Sequence, residues 1–204
     1  MAGLASPRRR LKITVAGKGG VGKTTISALI ARELAAGGAT TLAVDCDPNP
    51  TLGEELGVSS ASLSRFTGDA LRPANGTLEL VREPDLVEIA ANLQLLGGPP
   101  SETPLSDAVA RGIAGVLIAD RFDFTITDLG PGPELTRVAV GGVLNPADWC
   151  FVLTDGTRVA ESTAERVEGA CRARQVPWTR VLNRRGEPVE VAAALATEIS
   201  RNPR

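Results

Sequence analysis

The chain contains no histidine and no tyrosine among its 204 residues, and only 3% of it is aromatic. Without imidazole, Ser-His-Asp and Cys-His nucleophiles and histidine-ligated zinc are excluded, and no side chain of ordinary pKa titrates between pH 5 and 8. Cysteine is scarce as well. Cys46, Cys150 and Cys171 are odd in number and far apart, so they give neither a disulfide framework nor a zinc-finger spacing and are expected as small buried hydrophobes. A net charge of -2 leaves no broad basic field to draw in nucleic acid or anionic lipid. No apolar run is long enough to cross a bilayer. Lysine is the rarest cation: Lys12, Lys18 and Lys23 are the lysines, and the other 19 of the 22 basic residues are arginine.

Two of those lysines fall within the ten residues A-G-K-G-G-V-G-K-T-T, 16 to 25. Before them, residues 11 to 16 form an apolar, β-branched run that reads as a buried parallel strand. After them, Thr24 to Ala36 places Ile26, Leu29, Ile30 and Leu34 at helical spacing up to Gly37-Gly38. Gly17-Lys18-Gly19-Gly20-Val21-Gly22-Lys23-Thr24 thus fits the phosphate-loop pattern G-x-x-x-x-G-K-[ST] in the strand-to-helix setting it requires. The glycines let backbone N–H groups turn around an anion at the positive end of a helix. Lys23 is expected to reach the β- and γ-phosphates and Thr24 to offer a hydroxyl to Mg²⁺, with Thr25 among the nucleotide-binding residues.

Further along, strands and helices alternate. A second strand over 41 to 44 delivers Asp45 and Asp47, and a strand over 122 to 127 delivers Asp128. Helices are expected over Ser106 to Arg121, Glu134 to Val143, Arg158 to Arg174 and Val189 to Arg201, with strands at 149 to 154 and 179 to 182. Short strands are expected at 78 to 81, 86 to 89 and 93 to 96, and residues 57 to 76 read as loop with one short helix. The pattern implies an α/β domain over 11–204 with a mostly parallel sheet covered on both faces, preceded by a flexible basic leader over 1–10. Asp128 and Asp47, at strand ends, are the expected Mg²⁺ acids together with Thr24, partly through water. Asp47 is suited to orient an attacking water, Asp45 is able to assist either role, and the Gly132 backbone N–H is placed to meet a γ-phosphate.

The loop K-G-G-x-G-K-T-T resembles the deviant phosphate loop of the MinD/ParA group of ATPases, which includes the nitrogenase iron protein and the nickel-insertion ATPases of carbon monoxide dehydrogenase maturation. V-D-C-D-P-N-P-T-L (44 to 52) resembles the first switch of the maturation ATPases, and D-L-G-P-G (128 to 132) the second switch. V-L-N-R (181 to 184) resembles the strand end whose asparagine contacts adenine. The resemblance implies a compact, C-terminally shortened P-loop NTPase of the SIMIBI-like kind, a cytoplasmic ATP hydrolase using ATP and Mg²⁺. It also implies that Lys18 reaches across an ATP-bound homodimer to the partner's phosphates, and that Asn183 and Arg184 line the base site. An unidentified protein client is the expected partner. A partition or positioning ATPase riding on a surface or on DNA, in the latter case through Arg172, Arg174, Arg180, Arg184 and Arg185, is one alternative, and a nucleotide-binding module with little hydrolysis is another. Gly130 stands where the family often has proline, and the C-x-C pair of some maturation ATPases is absent.

Overall fold

The computed structural model describes residues 10–63, 68–98, 104–131, 147–183 and 188–201. Gly132, the helix expected over 134 to 143, Arg184 and all but the last residue of the basic leader lie outside those residues. Seven strands form one sheet in the order β5-β6-β2-β7-β1-β8-β9. They are β1 (Leu11–Gly17), β2 (Thr41–Cys46), β5 (Val87–Ala90), β6 (Leu93–Leu96), β7 (Phe124–Leu129), β8 (Trp149–Thr154) and β9 (Trp178–Leu182). All neighbours pair in parallel except β5, which returns antiparallel on β6. This is the α/β class expected from the alternation of elements.

β2 and β8, inside the sheet, are buried from end to end, as strands covered on both faces require, so they read as continuous apolar runs. On one face, α1 (Lys23–Ala36) and α5 (Pro188–Arg201) pack Ile26, Ile30, Leu195 and Ile199 against Ile13, Val15 and Phe151. On the other, α3 (Leu105–Ile118) and α4 (Arg158–Ala173) pack Ile113, Ala114, Ile118, Ala164 and Val167 against Leu42, Val44, Cys150 and Val152. α3 lies close on β2 because residue 115 is glycine: a Cβ there would stand 2.7 Å from Val44 Cγ2. All three cysteines are free and buried.

Residues 57 to 76 depart from expectation. Two 3₁₀ turns, Ser60–Ser62 and Gly68–Ala70, lead into a strand, β3 (Leu71–Ala74), that pairs antiparallel with β4 (Thr77–Leu80). Asn75 and Gly76 make the two-residue turn at φ 50 and 76, the left-handed conformations that twist a hairpin correctly. Pro73 is tolerated because, among the described residues, this is a two-stranded ribbon in which β3 has β4 as its one strand partner. The short helix α2 (Leu52–Glu55) follows the 47-to-51 loop. β7 runs from Phe124 to Leu129, two residues later than the expected span; Phe122 and Asp123 belong instead to the turn, where Asp123 Oδ2 accepts from Thr40 N and Oγ1.

Candidate functional site

Parallel register brings three strand ends together. Val15 of β1 and Asp45 of β2 both stand opposite Asp128 of β7, so the two aspartates are side-by-side neighbours at the edge where the glycine loop begins. The loop itself depends on missing side chains. At Gly17 (φ 152) a Cβ would collide with the Leu153 carbonyl of β8, and Gly20 and Gly22 hold φ 83 and 85. Gly22 is the N-cap of α1, with no side chain covering the helix's first N–H groups. Those donors therefore face the loop, as an anion site at a helix N-terminus requires.

Lys23 opens α1 and is buried, 6% exposed, with Nζ donating to the Lys18 carbonyl at 3.3 Å. Burial lowers its pKa, and the charges of Asp128 and Asp47 oppose that shift. Asp128 is 1% exposed; Ser27 Oγ donates to its Oδ1 at 3.1 Å, while its Oδ2 has no hydrogen-bond partner. Burial raises its pKa to about 7, helped by the Asp45 charge and opposed by the Thr24 hydroxyl, Lys23 and Ser27. A buried carboxylate oxygen without a donor, beside a threonine hydroxyl and an ammonium, fits a water-bridged Mg²⁺ better than it fits an apolar core. Thr24 and Asp128 are brought together as expected.

Asp45 and Asp47 divide differently from the sequence reading. Both oxygens of Asp45 are engaged by backbone: Oδ1 accepts from Asp47 N and Oδ2 from Leu52 N, each at 3.0 Å. Burial raises its pKa to about 6, and those two N–H groups together with the Arg111 charge hold it from rising further. Asp45 is therefore an anchor for the 47-to-52 loop. Asp47 is half-buried, and its Oδ1 accepts from Asn49 N at 2.9 Å. Thr25 Oγ1 donates to Glu55 Oε1 at 3.0 Å, tying α1 to α2.

Lys18 lies half-buried in the loop, flanked by the exposed Gly19 and Gly20, on the protein's surface. Pro131 of the second switch segment lies against Gly19, where a Cβ would stand 3.5 Å from Pro131 Cβ. Asn183, just past β9, donates from Nδ2 to the Val21 carbonyl at 2.8 Å while its Oδ1 is buried without a partner. It thus pairs with the phosphate loop and keeps an acceptor in reserve, suited to an exocyclic amine.

Three participants went unnoticed in the sequence. Ser27 sits three residues after Thr24, on the same helix face, and that spacing is a legible signal. Glu55 and Arg111 carry none. Arg111, one turn before Gly115 on α3, is 2% exposed and donates from Nε to Asp45 O at 2.7 Å and from Nη2 to Asp47 O at 2.9 Å.

The family model for the CobQ/CobB/MinD/ParA nucleotide binding domain matches residues 12–199. The carbon monoxide dehydrogenase accessory protein CooC of Rhodospirillum rubrum is 42% identical over 73 residues, 36% of this chain and 26% of its own. The chain thus spans about a quarter of that relative's length. Among solved structures, the MinD cell division protein of Aquifex aeolicus superposes with a TM-score of 0.64 at 23% identity, over 94% of this chain and 78% of its own. The MinD of Pyrococcus horikoshii, solved with Mg-ADP, gives 0.62 at 18% identity, over 95% and 78%. With a family match across nearly the whole described sheet and a glycine cradle closed by Lys23, Thr24 and Asp128, the chain belongs to the CobQ/CobB/MinD/ParA nucleotide-binding family of P-loop ATPases.

Proposed function

We propose that this protein is a Mg·ATP-dependent molecular switch that hydrolyses ATP, dimerises in its ATP-bound state through Lys18, and serves the assembly or maturation of a protein client. The observation that carries the nucleotide and metal part is the Asp128 Oδ2 atom, buried and without a donor beside Lys23 and Thr24. Mg²⁺, when bound with nucleotide, supplies charge neutralisation on the phosphate oxygens. Thr24 and Asp128 would hold it, Lys23 and the loop N–H groups would clamp the phosphates, and Asp47 would orient the attacking water. Asn183 Oδ1 receives the adenine amine. Gly132 and Arg184 complete the phosphate and base contacts in this reading.

Placement of Lys18 on the outer turn of the loop, next to exposed Gly19 and Gly20, supports its use by a second subunit. Positive charge added across the interface would make hydrolysis conditional on dimerisation. The maturation role rests on D-C-D-P-N-P in the first switch and on the likeness to an accessory protein of carbon monoxide dehydrogenase. The DNA-riding alternative is weakened by the cations it would use. Arg180 is held by Glu161 and Glu168, and Arg172 lies over the Trp178 ring at 5.5 Å. Among the described residues no helix is long and apolar enough to cross a membrane.

Two measurements test the reading together. Sedimentation in saturating non-hydrolysable ATP with Mg²⁺ is expected to show a monomer-to-dimer shift that Lys18→Ala abolishes. Lys18→Ala should retain nucleotide binding and lose hydrolysis, whereas Lys23→Ala should lose both. An unchanged monomer, or equal and mild effects of the two substitutions, would remove the role given to Lys18.

A further inference from the structure

Arg111 is the largest fully buried side chain among the described residues, and neither the phosphate loop nor the base site uses it. A buried arginine is rare unless its donors are engaged. Here Nε and Nη2 go to two backbone carbonyls, those of Asp45 and Asp47, which flank Cys46. From the other side, the Asp45 carboxylate takes the N–H groups of Asp47 and Leu52. The first switch is therefore fastened at four points, two on its carbonyls and two on its amides. The loop's amides can add little more, because Pro48 and Pro50 have no N–H, so its carbonyls depend on a donor from outside the loop.

We propose that Arg111 is a positioning residue for switch I: it sets the Asp47 backbone in its working place before nucleotide arrives, and makes that place dependent on where α3 sits. The geometry of α3 gives the arginine its reach. Gly115, one turn further on, allows the helix to press on Val44, and Ile113, Ala114 and Ile118 hold it in the core independently of the guanidinium. Removing the guanidinium thus leaves α3 packed while two carbonyls lose their donor and Asp45 loses its nearby positive charge. The loop then rearranges around Asp47. That Asp47 orients the attacking water rests on the function proposed above; the fastening of the loop does not.

The test is amide hydrogen exchange on the nucleotide-free full chain, combined with binding of a fluorescent ATP analogue and steady-state hydrolysis. In Arg111→Gln, exchange over 45–52 is expected to accelerate about tenfold or more while β1 amides keep their protection. kcat should fall about tenfold or more with Kd for Mg·ATP changed less than about threefold, the signature of misplaced rather than lost machinery. Arg111→Lys, which keeps the charge but can bridge only one carbonyl, should be intermediate in both readouts. Guanidinium at millimolar concentration should restore part of the kcat of Arg111→Ala. If Arg111→Gln does not fold, Arg111→Lys and the rescued Arg111→Ala are read by the same criteria. Unchanged exchange over 45–52, or loss of protection spread evenly over the sheet with Kd and kcat falling in parallel, would overturn the proposal. A wild-type chain that fails to hydrolyse ATP would sink the switch reading, while the exchange result would still decide the role of Arg111.

Discussion

Asp128→Asn should make the nucleotide-free protein more stable, by a larger margin at pH 8 than at pH 5. The folded chain holds the Asp128 proton more tightly than the unfolded chain does, because burial beside Asp45 raises the pKa from its ordinary 3.8 to about 7. Between those values the folded state carries a proton that the unfolded state has released. Stability therefore falls as pH rises through that window, by about 1.4 kcal/mol per pH unit, and levels off above it. The full displacement corresponds to about 4 kcal/mol, an upper figure because a charged buried group recruits water and relaxes its surroundings. Asparagine keeps an oxygen for Ser27 Oγ and removes the ionisation. Asp45, raised to about 6 for the same reason, continues to contribute in the variant, over the lower part of the window. The assay is urea unfolding at pH 5, 6, 7 and 8 without Mg²⁺, comparing the pH slope of wild type and variant. A slope in the variant equal to that of wild type between pH 6 and 7, where Asp128 contributes the larger share, would refute the reasoning. At pH 8, Mg²⁺ with nucleotide should stabilise the wild type and fail to stabilise Asp128→Asn.

Other substitutions probe the packing that shapes the site. Asn183→Ala frees the Val21 carbonyl and removes the unpartnered Oδ1; it should cost about 1 kcal/mol in unfolding and reduce the preference for ATP over GTP in competition binding. Equal preference before and after would place the base elsewhere. Gly115→Ala forces a methyl group to within 2.7 Å of Val44 and should destabilise by about 1–3 kcal/mol, with Val44→Ala in the same chain recovering part of the loss in thermal melts. Gly17→Ala meets the Leu153 carbonyl, which is fixed in β8, and should abolish nucleotide binding; a variant that binds normally would show that the loop has room the structure denies it.

Much of the site was legible because its residues sit at strand ends, where a short apolar run announces the strand and the polar residues that follow announce the edge. That is how Gly17, Lys23, Thr24 and Asp128 could be placed in advance. The two aspartates of the first switch could not be told apart, since only the fold shows that both oxygens of Asp45 are occupied by backbone N–H groups. Arg111 was invisible for a related reason: an arginine within an apolar helix looks like a solvated position until the helix is docked. The β3–β4 hairpin was legible and missed. Asn75-Gly76 is a strong two-residue turn signal, and Pro73 beside it argues against a strand only in the middle of a sheet. The two-residue offset of β7 reflects Asp123, whose carboxylate caps Thr40 and holds the chain in a turn before the strand begins.

The parallel sheet also bears on how the chain acquires its site. Gly17, Asp45, Asp128 and Asn183 lie at the ends of four strands spread over most of the sequence, and each pairing between them spans tens of residues. Contacts of that range close late, after the entropy of the intervening loops has been overcome. No fragment of the chain can assemble the cradle, and the buried carboxyl groups gather only when the sheet does. Nucleotide binding is consequently a report on global folding. A ligand at one hundred times its Kd would add about 2.7 kcal/mol to the native state, so the abundance of nucleotide in its surroundings becomes part of what keeps this chain folded.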